Sequence, residues 1–370
     1  MTGGGSKTRY GIIGCGMMGQ EHLRNIALLP DAAVAAIYEP DAAMAAGSAV
    51  LVPEAEMTGS VDALLDVPGL DCLVIASPNH LHLEQLERIA EKRPLPVLVE
   101  KPIYVLPEEE DRVKRLEDAF PAPIWVAMEY RFMPPIAAFA QEAPGATGGV
   151  RMLSIREHRF PFLHKVGAWN RFNRNTGGTF VEKGCHFFDL MRLVLGGEPV
   201  RVMAMGGHAL NHRDEEYGGF SPDILDHGYV LVDFDNGTRA MLELCMFAEG
   251  ARYQEELTAT GATGRIEALV PGPTRFWPEH LGEPPVPKLI TSPRNPKGPV
   301  SRDIPVQPAL IEAGDHNGAT FYQHQGFLEL VRGTRAAPEV TLRDGALAVR
   351  MGLAAQRSIQ TGQAVEMRRD

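Results

Sequence analysis

The sequence is poor in cysteine and has no long apolar run. Its 370 residues include four cysteines, Cys15, Cys72, Cys185 and Cys245, and none forms a C-x-x-C pair. This scatter indicates neither a disulfide framework nor a zinc ribbon. No apolar stretch reaches the roughly eighteen residues that a membrane-spanning helix needs. We therefore expect a protein of a reducing compartment with no membrane span.

Positive charge is also in deficit. The chain has 36 Lys and Arg against 47 Asp and Glu, which gives a formal net charge of −11, and no local basic stripe offsets it. A surface of this kind does not favour phosphate backbones, so we expect neither nucleic acid nor an anionic membrane as a partner. The start, Met1 to Tyr10, is Gly-rich and polar, without an apolar leader core or twin arginine, which favours a cytoplasmic location.

The first 128 residues alternate short apolar runs with helical patterns. The runs are unbroken by polar residues, as in strands covered on both faces, and the alternation predicts a doubly wound parallel sheet of Rossmann type. The predicted strands are Tyr10–Gly14, Val34–Glu39, Cys72–Ala76, Val97–Val99 and Ile124–Met128. The predicted helices are Gln20–Leu29, Ala42–Val50, Leu81–Lys92 and Glu108–Phe120.

After residue 130 the pattern changes to alternating strands with few helices. Asp235-Asn236-Gly237 is a strong hairpin signal, because Asn-Gly supplies the positive φ angles of a tight turn. An antiparallel or mixed sheet is predicted here, in an α+β domain. Its strands are Val150–Arg159, Val200–Leu210, Tyr229–Phe234 and Thr238–Phe247, and its helices are Thr179–Leu195, Tyr322–Arg332 and Leu342–Gln360.

These patterns divide the chain into two domains, 1–130 for a dinucleotide and 131–370 for substrate and assembly. Residues 271–308 carry 11 of the 29 prolines, which predicts a long loop without regular structure rather than a third domain. The C-terminal helix is expected to pack back on the first domain.

A glycine-rich turn follows the first predicted strand. Gly14-Cys15-Gly16-Met17-Met18-Gly19 fits G-x-G-x-x-G, in which the glycines allow a tight turn, close approach of a pyrophosphate and close helix packing. Twenty residues further on, Glu39 ends the second strand, where a carboxylate accepts ribose hydroxyls and repels a 2′-phosphate. No Lys or Arg lies between Val34 and Ala49. NAD is therefore predicted in preference to NADP.

Further motifs lie at the carboxyl ends of the next strands, where such sheets bind ligands. Ser77-Pro78-Asn79-His80-Leu81-His82 follows the predicted strand Cys72–Ala76, with Asn79 as a candidate helix cap, and Glu100-Lys101-Pro102 follows the predicted strand Val97–Val99. Later, Gly177-Gly178 opens a helix in which Glu182 and His186 are four residues apart and so share a face. Gly184 between them suggests close approach of its backbone to a ligand.

In this order, the glycine turn, the S-P-N-x-x-H loop, E-K-P and the G-G-x-x-x-acid-x-G-x-H helix resemble the Gfo/Idh/MocA family of sugar and polyol oxidoreductases. The resemblance implies an N-terminal dinucleotide fold, an open-faced C-terminal sheet, and a homodimer or homotetramer formed through that sheet. Along the chain, it implies that the cofactor is held by Gly14, Gly16, Met17, Met18, Gly19, Glu39, Ser77, Asn79, His82, Glu100 and Lys101.

The same resemblance assigns catalytic roles. His186 is expected to take the proton of a substrate hydroxyl as hydride leaves for nicotinamide, and Lys101 to hydrogen-bond the same oxygen. Glu182, where the family more often has Asp, either touches substrate or orients His186; the neighbouring Lys183 is atypical. The expected substrate is an inositol-like cyclitol or a sugar, contacted by Arg131, Trp169, Asn170, His186, His316 and Tyr322.

Other chemistries fit less well. No H-E-x-x-H is present, and His80 and His82 lie two apart at a helix entrance, so no metal site is predicted. The absence of a G-x-S-x-G elbow argues against a Ser–His–Asp hydrolase. Two alternatives stay open: cleavage of glycosides by NAD-dependent oxidation and elimination, and a non-catalytic sensor that binds NAD and a sugar.

Overall fold

The structure, a computed structural model, describes residues 6–367 and contains two sheets. The first has six parallel strands in the order β3-β2-β1-β4-β5-β6, with helices in the crossovers. Its elements are β1 Thr8–Ile13, α1 Met17–Ala27, β2 Ala32–Tyr38, α2 Ala42–Leu51, β3 Glu56–Thr58, α3 Val61–Asp66, β4 Cys72–Ile75, α4 His82–Lys92, β5 Val97–Glu100, α5 Glu110–Ala119 and β6 Ile124–Ala127.

The apolar runs explain this half of the fold. Every residue of β4, β5 and β6 is buried, as expected when helices cover both faces of a parallel sheet. The predicted doubly wound sheet is confirmed. The short pair β3 and α3 was not predicted, because β3 has three residues and lies at the sheet edge.

The second sheet has nine strands in the order β14-β13-β12-β11-β7-β10-β9-β8-β15. Its pairings are antiparallel except for the parallel pair β7 and β10, so the predicted mostly antiparallel sheet is confirmed. This half comprises α6 Pro134–Thr147, β7 Val150–His158, α7 Asn173–Thr176, α8 Thr179–Glu182, α9 Gly184–Leu195, β8 Pro199–Gly207, β9 His227–Phe234, β10 Arg239–Cys245, β11 Glu255–Gly261, β12 Gly264–Val270, β13 Lys288–Pro293, β14 Val300–Asp303, α10 Pro308–Ala313, α11 Ala319–Val331, α12 Leu342–Thr361 and β15 Val365–Glu366.

One face of the second sheet is covered by helices and the other is open. Helix α9 packs on β7, α12 on β8 and α6 on β12, which buries alternate residues of these strands. On the opposite face Met205, Tyr229 and Leu231 are 70%, 53% and 55% exposed. The sheet is thus open-faced, as the family resemblance implies.

Two local predictions are wrong. The Pro-rich segment 271–308 does contain regular structure, because β13 and β14 form a hairpin that extends the sheet beyond β12. Its prolines are tolerated because Pro287 precedes β13 and Pro293 is the last residue of that strand. At strand ends near the sheet edge, the sheet does not need the N–H donor that proline lacks. The single helix predicted over Thr179–Leu195 is divided at Lys183 into α8 and α9.

Helix α12 contacts both halves of the molecule. It packs against α5 and β6 of the first sheet and against α8, α9 and β8 of the second. Gly352 allows α12 to lie close to α8, because a Cβ at this position would stand 2.4 Å from the carbonyl oxygen of Phe180.

Within residues 6–367, no helix combines the length and apolar character needed to cross a membrane. The Gly-rich start, on which the expectation of a leaderless protein partly rests, has its first five residues outside the described part of the chain.

A buried ion pair ties the segment after β6 to α9. The guanidinium of Arg131 donates two hydrogen bonds of 2.5 Å to the carboxylate of Asp189. Both side chains are almost fully buried. Asp189 thus pairs with a residue 58 positions away in the sequence.

Removing one member of this pair should destabilise the protein. Asp189→Ala leaves the Arg131 charge buried without its partner, so we expect the free energy of unfolding in urea to fall by about 3 kcal/mol. Glu329→Ala is the matched control, because Glu329 pairs with Arg335 at 3.1 Å on the surface, and it should cost less than about 1 kcal/mol. Equal losses in the two variants would contradict this account of the junction.

Candidate active site

The glycine turn forms an open cradle at the start of α1. Gly14 has φ +87°, and a Cβ there would lie 2.5 Å from the Ser77 nitrogen. A Cβ on Gly19 would lie 2.3 Å from the Gly14 oxygen, whereas nothing stands within 4 Å of that position on Gly16. Helix α1 has no side-chain cap and no acidic residue in its first turn. These features fit a pyrophosphate at the helix N-terminus.

Glu39 lies beside this cradle. Its carboxylate accepts hydrogen bonds from the backbone N–H of Cys15 at 2.5 Å and of Asp41 at 2.8 Å. Each carboxylate oxygen has a second lone pair, so the group retains capacity for ribose hydroxyls. The carboxylate is therefore held at the turn by backbone donors on both sides.

Two other residues predicted to bind cofactor, His82 and Ser77, have side chains with internal contacts. His82 is buried, with its ring nitrogens 2.7 Å from the Pro102 oxygen and 2.9 Å from the Ser77 oxygen, so it links the loops after β4 and β5. The Ser77 hydroxyl contacts Gln85 at 2.7 Å. Asn79 begins a 3-10 turn and does not cap α4, contrary to expectation.

Glu100 of the E-K-P motif is held from inside the first domain. Its carboxylate lies 3.1 Å from Nε2 of His22, whose Nδ1 lies 2.8 Å from Nε2 of His324. All three residues are buried. This chain of contacts anchors the strand end that carries Lys101. The role of His22 was not foreseen, because its partners are distant in sequence.

Lys101 reaches the cleft between the two sheets. Its ammonium donates to the carbonyl oxygen of Glu182 at 3.1 Å. Burial lowers the pKa of Lys101, but the carboxylates of Glu100, Glu182 and Glu129 raise it above its ordinary value. Lys101 is therefore a fixed positive charge near neutral pH.

A cavity of about 650 Å³ in this cleft brings several predicted residues together. Lys101, Glu182, His186 and His316 line it, along with Met17 and Met18 of the glycine turn. The other residues predicted to contact substrate, Arg131, Trp169, Asn170 and Tyr322, do not line it. Arg131 is paired with Asp189, Asn170 donates to the Leu163 oxygen, and the Trp169 ring lies under the Lys165 ammonium.

The division of the helix at Lys183 separates the roles of Glu182 and His186. Glu182 ends α8, and one carboxylate oxygen lies 3.6 Å from the Lys165 ammonium, while the other is buried without a partner among the described residues. No hydrogen bond joins Glu182 to His186 in residues 6–367. Gly184 opens α9, where a Cβ would meet the Phe188 ring at 3.0 Å, so side-chain packing accounts for the glycine.

His186 is buried and faces a carboxylate that sequence reasoning missed. Its Nε2 lies 3.9 Å from Oε1 of Glu129, and its ring stacks on Tyr130 with centroids 4.4 Å apart. Burial lowers its pKa well below the ordinary value, and the charges of Lys101 and Lys183 add to this. A neutral imidazole at physiological pH is the form that accepts a proton.

Lys183 lies in a buried network beneath this stack. Its ammonium contacts the Tyr130 hydroxyl and lies 2.9 Å from Glu157, while the Tyr130 hydroxyl donates to Glu255 at 3.2 Å. Burial and the Arg159 charge lower the pKa of Lys183 to about 8, against the opposing effect of both carboxylates. The unusual lysine thus supports the Tyr130 ring on which His186 rests.

His316 links two buried carboxylates at the rim of the cavity. Its Nδ1 lies 2.8 Å from Oε1 of Glu21 and its Nε2 lies 3.3 Å from Oε1 of Glu129. Burial opposes protonation, but these carboxylates raise the pKa of His316 to about 9. Burial raises the pKa of Glu129 to about 7, against the attraction of His316.

Glu21, Glu129 and His316 also form a group whose ligand atoms all lie within 4.8 Å of one another, a spacing that a metal ion could use. The prediction of no metal rested on motifs and could not include residues from three distant segments. Because the imidazolium of His316 already carries a positive charge between the carboxylates, a metal would have to displace its proton.

Together, a dinucleotide cradle and a cleft with a lysine and a neutral histidine define a dinucleotide-dependent oxidoreductase. A family model described as "Oxidoreductase family, NAD-binding Rossmann fold" matches residues 8–128, and one described as "Oxidoreductase family, C-terminal alpha/beta domain" matches residues 144–367. The chain therefore belongs to the Gfo/Idh/MocA oxidoreductase family. The predicted family, the NAD cofactor and the oxidoreductase class are confirmed.

Known proteins similar to this chain include two curated relatives. The rhizopine catabolism protein MocA of Rhizobium meliloti is 28% identical over 74% of this chain and 80% of its own length. An inositol 2-dehydrogenase of Rhizobium meliloti is 26% identical over 70% of this chain and 75% of its own. The solved myo-inositol 2-dehydrogenase of Lactobacillus plantarum shares the fold, with a TM-score of 0.76 and 20% identity over 98% of this chain and all of its own.

Glu39 should control affinity for NADH. Glu39→Ala removes a charged hydrogen-bond acceptor worth about 1.5 kcal/mol, so the Kd of NADH should rise about tenfold. The protein's preference for NADH over NADPH should become smaller. Fluorescence titration with both nucleotides measures this.

Asp41→Ala is the matched control. Asp41 is an acid two positions further along the chain that caps α2 through the N–H groups of Ala43 and Met44. Its loss should leave the Kd of NADH unchanged. An unaltered Kd in Glu39→Ala would contradict the assigned role.

Proposed function

We propose that the protein oxidises a secondary hydroxyl of a cyclitol or sugar, with inositol-like polyols as the first candidates. The observation that carries this proposal is that Lys101 and the neutral His186 line the same cavity as the start of α1. An alcohol oxidation needs a base for the hydroxyl proton and a positive group for the oxygen, and these two side chains supply them.

Each residue then has a defined task. The Lys101 ammonium hydrogen-bonds the substrate oxygen and stabilises negative charge as the proton leaves. His186 accepts that proton at Nε2, which requires the neutral tautomer protonated on Nδ1. Bound NAD supplies the hydride acceptor. The residues on either side of Lys101 are fixed, because Glu100 contacts His22 and the Pro102 carbonyl contacts His82. Lys101 therefore keeps its position during the reaction.

The cavity also favours a substrate rich in hydroxyl donors. Glu182 and Glu255 line it, and each has a buried carboxylate oxygen without a partner among residues 6–367. Such acceptors are costly to bury unless a donor satisfies them. A ring bearing several hydroxyls supplies donors in several directions, and relatives named inositol 2-dehydrogenase support this class.

The proposal is tested with NAD and a panel of inositols and aldoses. NADH should form, and Lys101→Met and His186→Ala should each lower kcat/KM by about 10²–10⁴-fold, because each removes a group that acts on the reacting hydroxyl. Lys92→Met is the control, because it removes a surface ion pair between Lys92 on α4 and Asp66 on α3, and it should change activity by less than about twofold.

Other outcomes would contradict the proposal. Release of an aglycone from a glycoside with no accumulating NADH would show oxidation and elimination instead. Calorimetric binding of NAD and a sugar without turnover on any substrate would show a sensor. Undiminished activity in the Lys101→Met, His186→Ala double variant would refute the mechanism.

We propose further that copies of the chain associate through the open face of the second sheet. Met205, Tyr229 and Leu231 form an exposed apolar stripe, since β8 and β9 place Met205 opposite Tyr229. We also propose a cytoplasmic location, because all four cysteines are free thiols, as is usual in a reducing compartment.

The association should be visible in light scattering. The wild-type mass should equal two or four chains, and Leu231→Glu should shift it toward one chain because a charge would be buried at the contact. Val50→Glu, at an 81% exposed position on α2, is the control and should keep the wild-type mass. A monomeric wild type would contradict this assembly.

A further inference from the structure

The proposed oxidation leaves a proton on a side chain that is poorly placed to release it. His186 is only 2% exposed, and its Nδ1 has no partner among the described residues. The Tyr130 ring covers one face. The network behind that ring reaches Glu157 and Glu255, which are 0% and 1% exposed. Their next partners, Arg159 and Gln254, do not take up protons near neutral pH, so this network carries no proton to water.

Glu129 is the carboxylate that faces the reacting nitrogen. Its Oε1 lies 3.9 Å from Nε2 of His186 and 3.3 Å from Nε2 of His316. The first distance exceeds a hydrogen bond by about 1 Å, so a small side-chain movement completes the contact. One carboxylate oxygen therefore lies between the two imidazoles.

His316 connects this carboxylate to solvent. Its side chain is 20% exposed, compared with 2% for Glu129 and 6% for Glu21. Glu21 contacts the Nδ1 side of the His316 ring. The Thr320 hydroxyl donates to Glu21 at 2.8 Å and lies 3.4 Å from Glu129. The path thus runs from a buried base to a partly exposed one.

We propose that Glu129 and His316 form a proton relay that deprotonates His186 after each oxidation. Glu21 is the residue that positions His316. This inference rests on the proposed function. The alcohol loses hydride to NAD and its hydroxyl proton to His186. That proton passes from His186 to Glu129. His316 releases one proton to water and is then reprotonated by Glu129, so one proton leaves the protein per turnover.

The electrostatics favour this direction. The pKa of His186 is lowered by burial and by Lys101 and Lys183, whereas burial raises the pKa of Glu129 to about 7. The proton therefore moves from a weaker base to a stronger one. Once Glu129 is neutral it no longer stabilises the imidazolium of His316, which then releases its proton more readily. The charged groups facing Glu129 are His316, Glu100, Glu21 and Lys101.

The test compares Glu129→Gln with Glu329→Gln. The first variant keeps the shape of the side chain and loses the proton acceptor. The second makes the same change in a surface residue of α11 that does not line the cavity. In Glu129→Gln we expect kcat for polyol oxidation to fall about 10- to 100-fold, with KM unchanged, a larger effect of D₂O on the rate, and recovery on adding formate. Glu329→Gln should behave as wild type.

A second variant and a second measurement support the test. His316→Gln should show the same loss of kcat, with recovery by imidazole. NMR titration of labelled histidines with NAD bound should show the His316 transition, about pH 9 in wild type, lowered by at least about one unit in Glu129→Gln, because its anionic partner is gone. This measurement needs no turnover and also shows that the variant is folded.

The outcomes separate the two proposals. An active wild type with wild-type kcat in Glu129→Gln, or a raised KM without chemical recovery, overturns the relay alone. A wild type that oxidises no polyol overturns the proposed function and the relay together. An unmoved His316 transition in Glu129→Gln shows that the two groups are not coupled and also overturns the relay.

Discussion

Compensation of buried charge at the junction of the two sheets is the constraint on which the rest of the structure depends. Ionisable groups that lose water persist only when opposite charges or hydrogen bonds replace it. The Lys101 ammonium is bonded to the Glu182 carbonyl, Lys183 contacts Glu157, and His316 lies between Glu21 and Glu129. Partners come from both domains, so the cleft is completed only when the two halves pack together.

The same compensation produces the chemistry. Surrounding carboxylates keep Lys101 charged, while burial and nearby cations keep His186 neutral. An acid that stabilises the oxygen and a base that takes its proton therefore stand in one cleft in the protonation states that oxidation requires. The glycine turn opens into the same cavity through Met17 and Met18, which places cofactor and substrate chemistry together.

Much of this could be predicted from sequence where the signal is local. Continuous apolar strands, the G-x-G-x-x-G turn with Glu39, and Lys101 before Pro102 each lie within a short segment of fixed geometry. The helix division at Lys183 is not predicted because apolar residues keep helical spacing on both sides of it and no proline interrupts residues 177–195. The hairpin of β13 and β14 is not predicted because its segment is rich in proline, which disfavours strands, although positions near a sheet edge tolerate proline.

The rest of the site depends on contacts between distant segments. Glu21, Glu129 and His316 come from α1, the turn after β6 and the loop before α11, and no spacing in the sequence relates them. The family resemblance implies that Arg131 contacts substrate, yet its guanidinium pairs with Asp189 on α9. Without a structure, a buried ion pair and a ligand-binding arginine have the same sequence signature.

The central claim is that Lys101 and His186 act on one substrate oxygen. A crystal structure of the protein with NAD and an inositol tests it most directly. We expect one hydroxyl oxygen of the inositol within hydrogen-bond distance of both the Lys101 Nζ and the His186 Nε2. A polyol bound elsewhere in the cavity, with no oxygen in contact with either group, would contradict it.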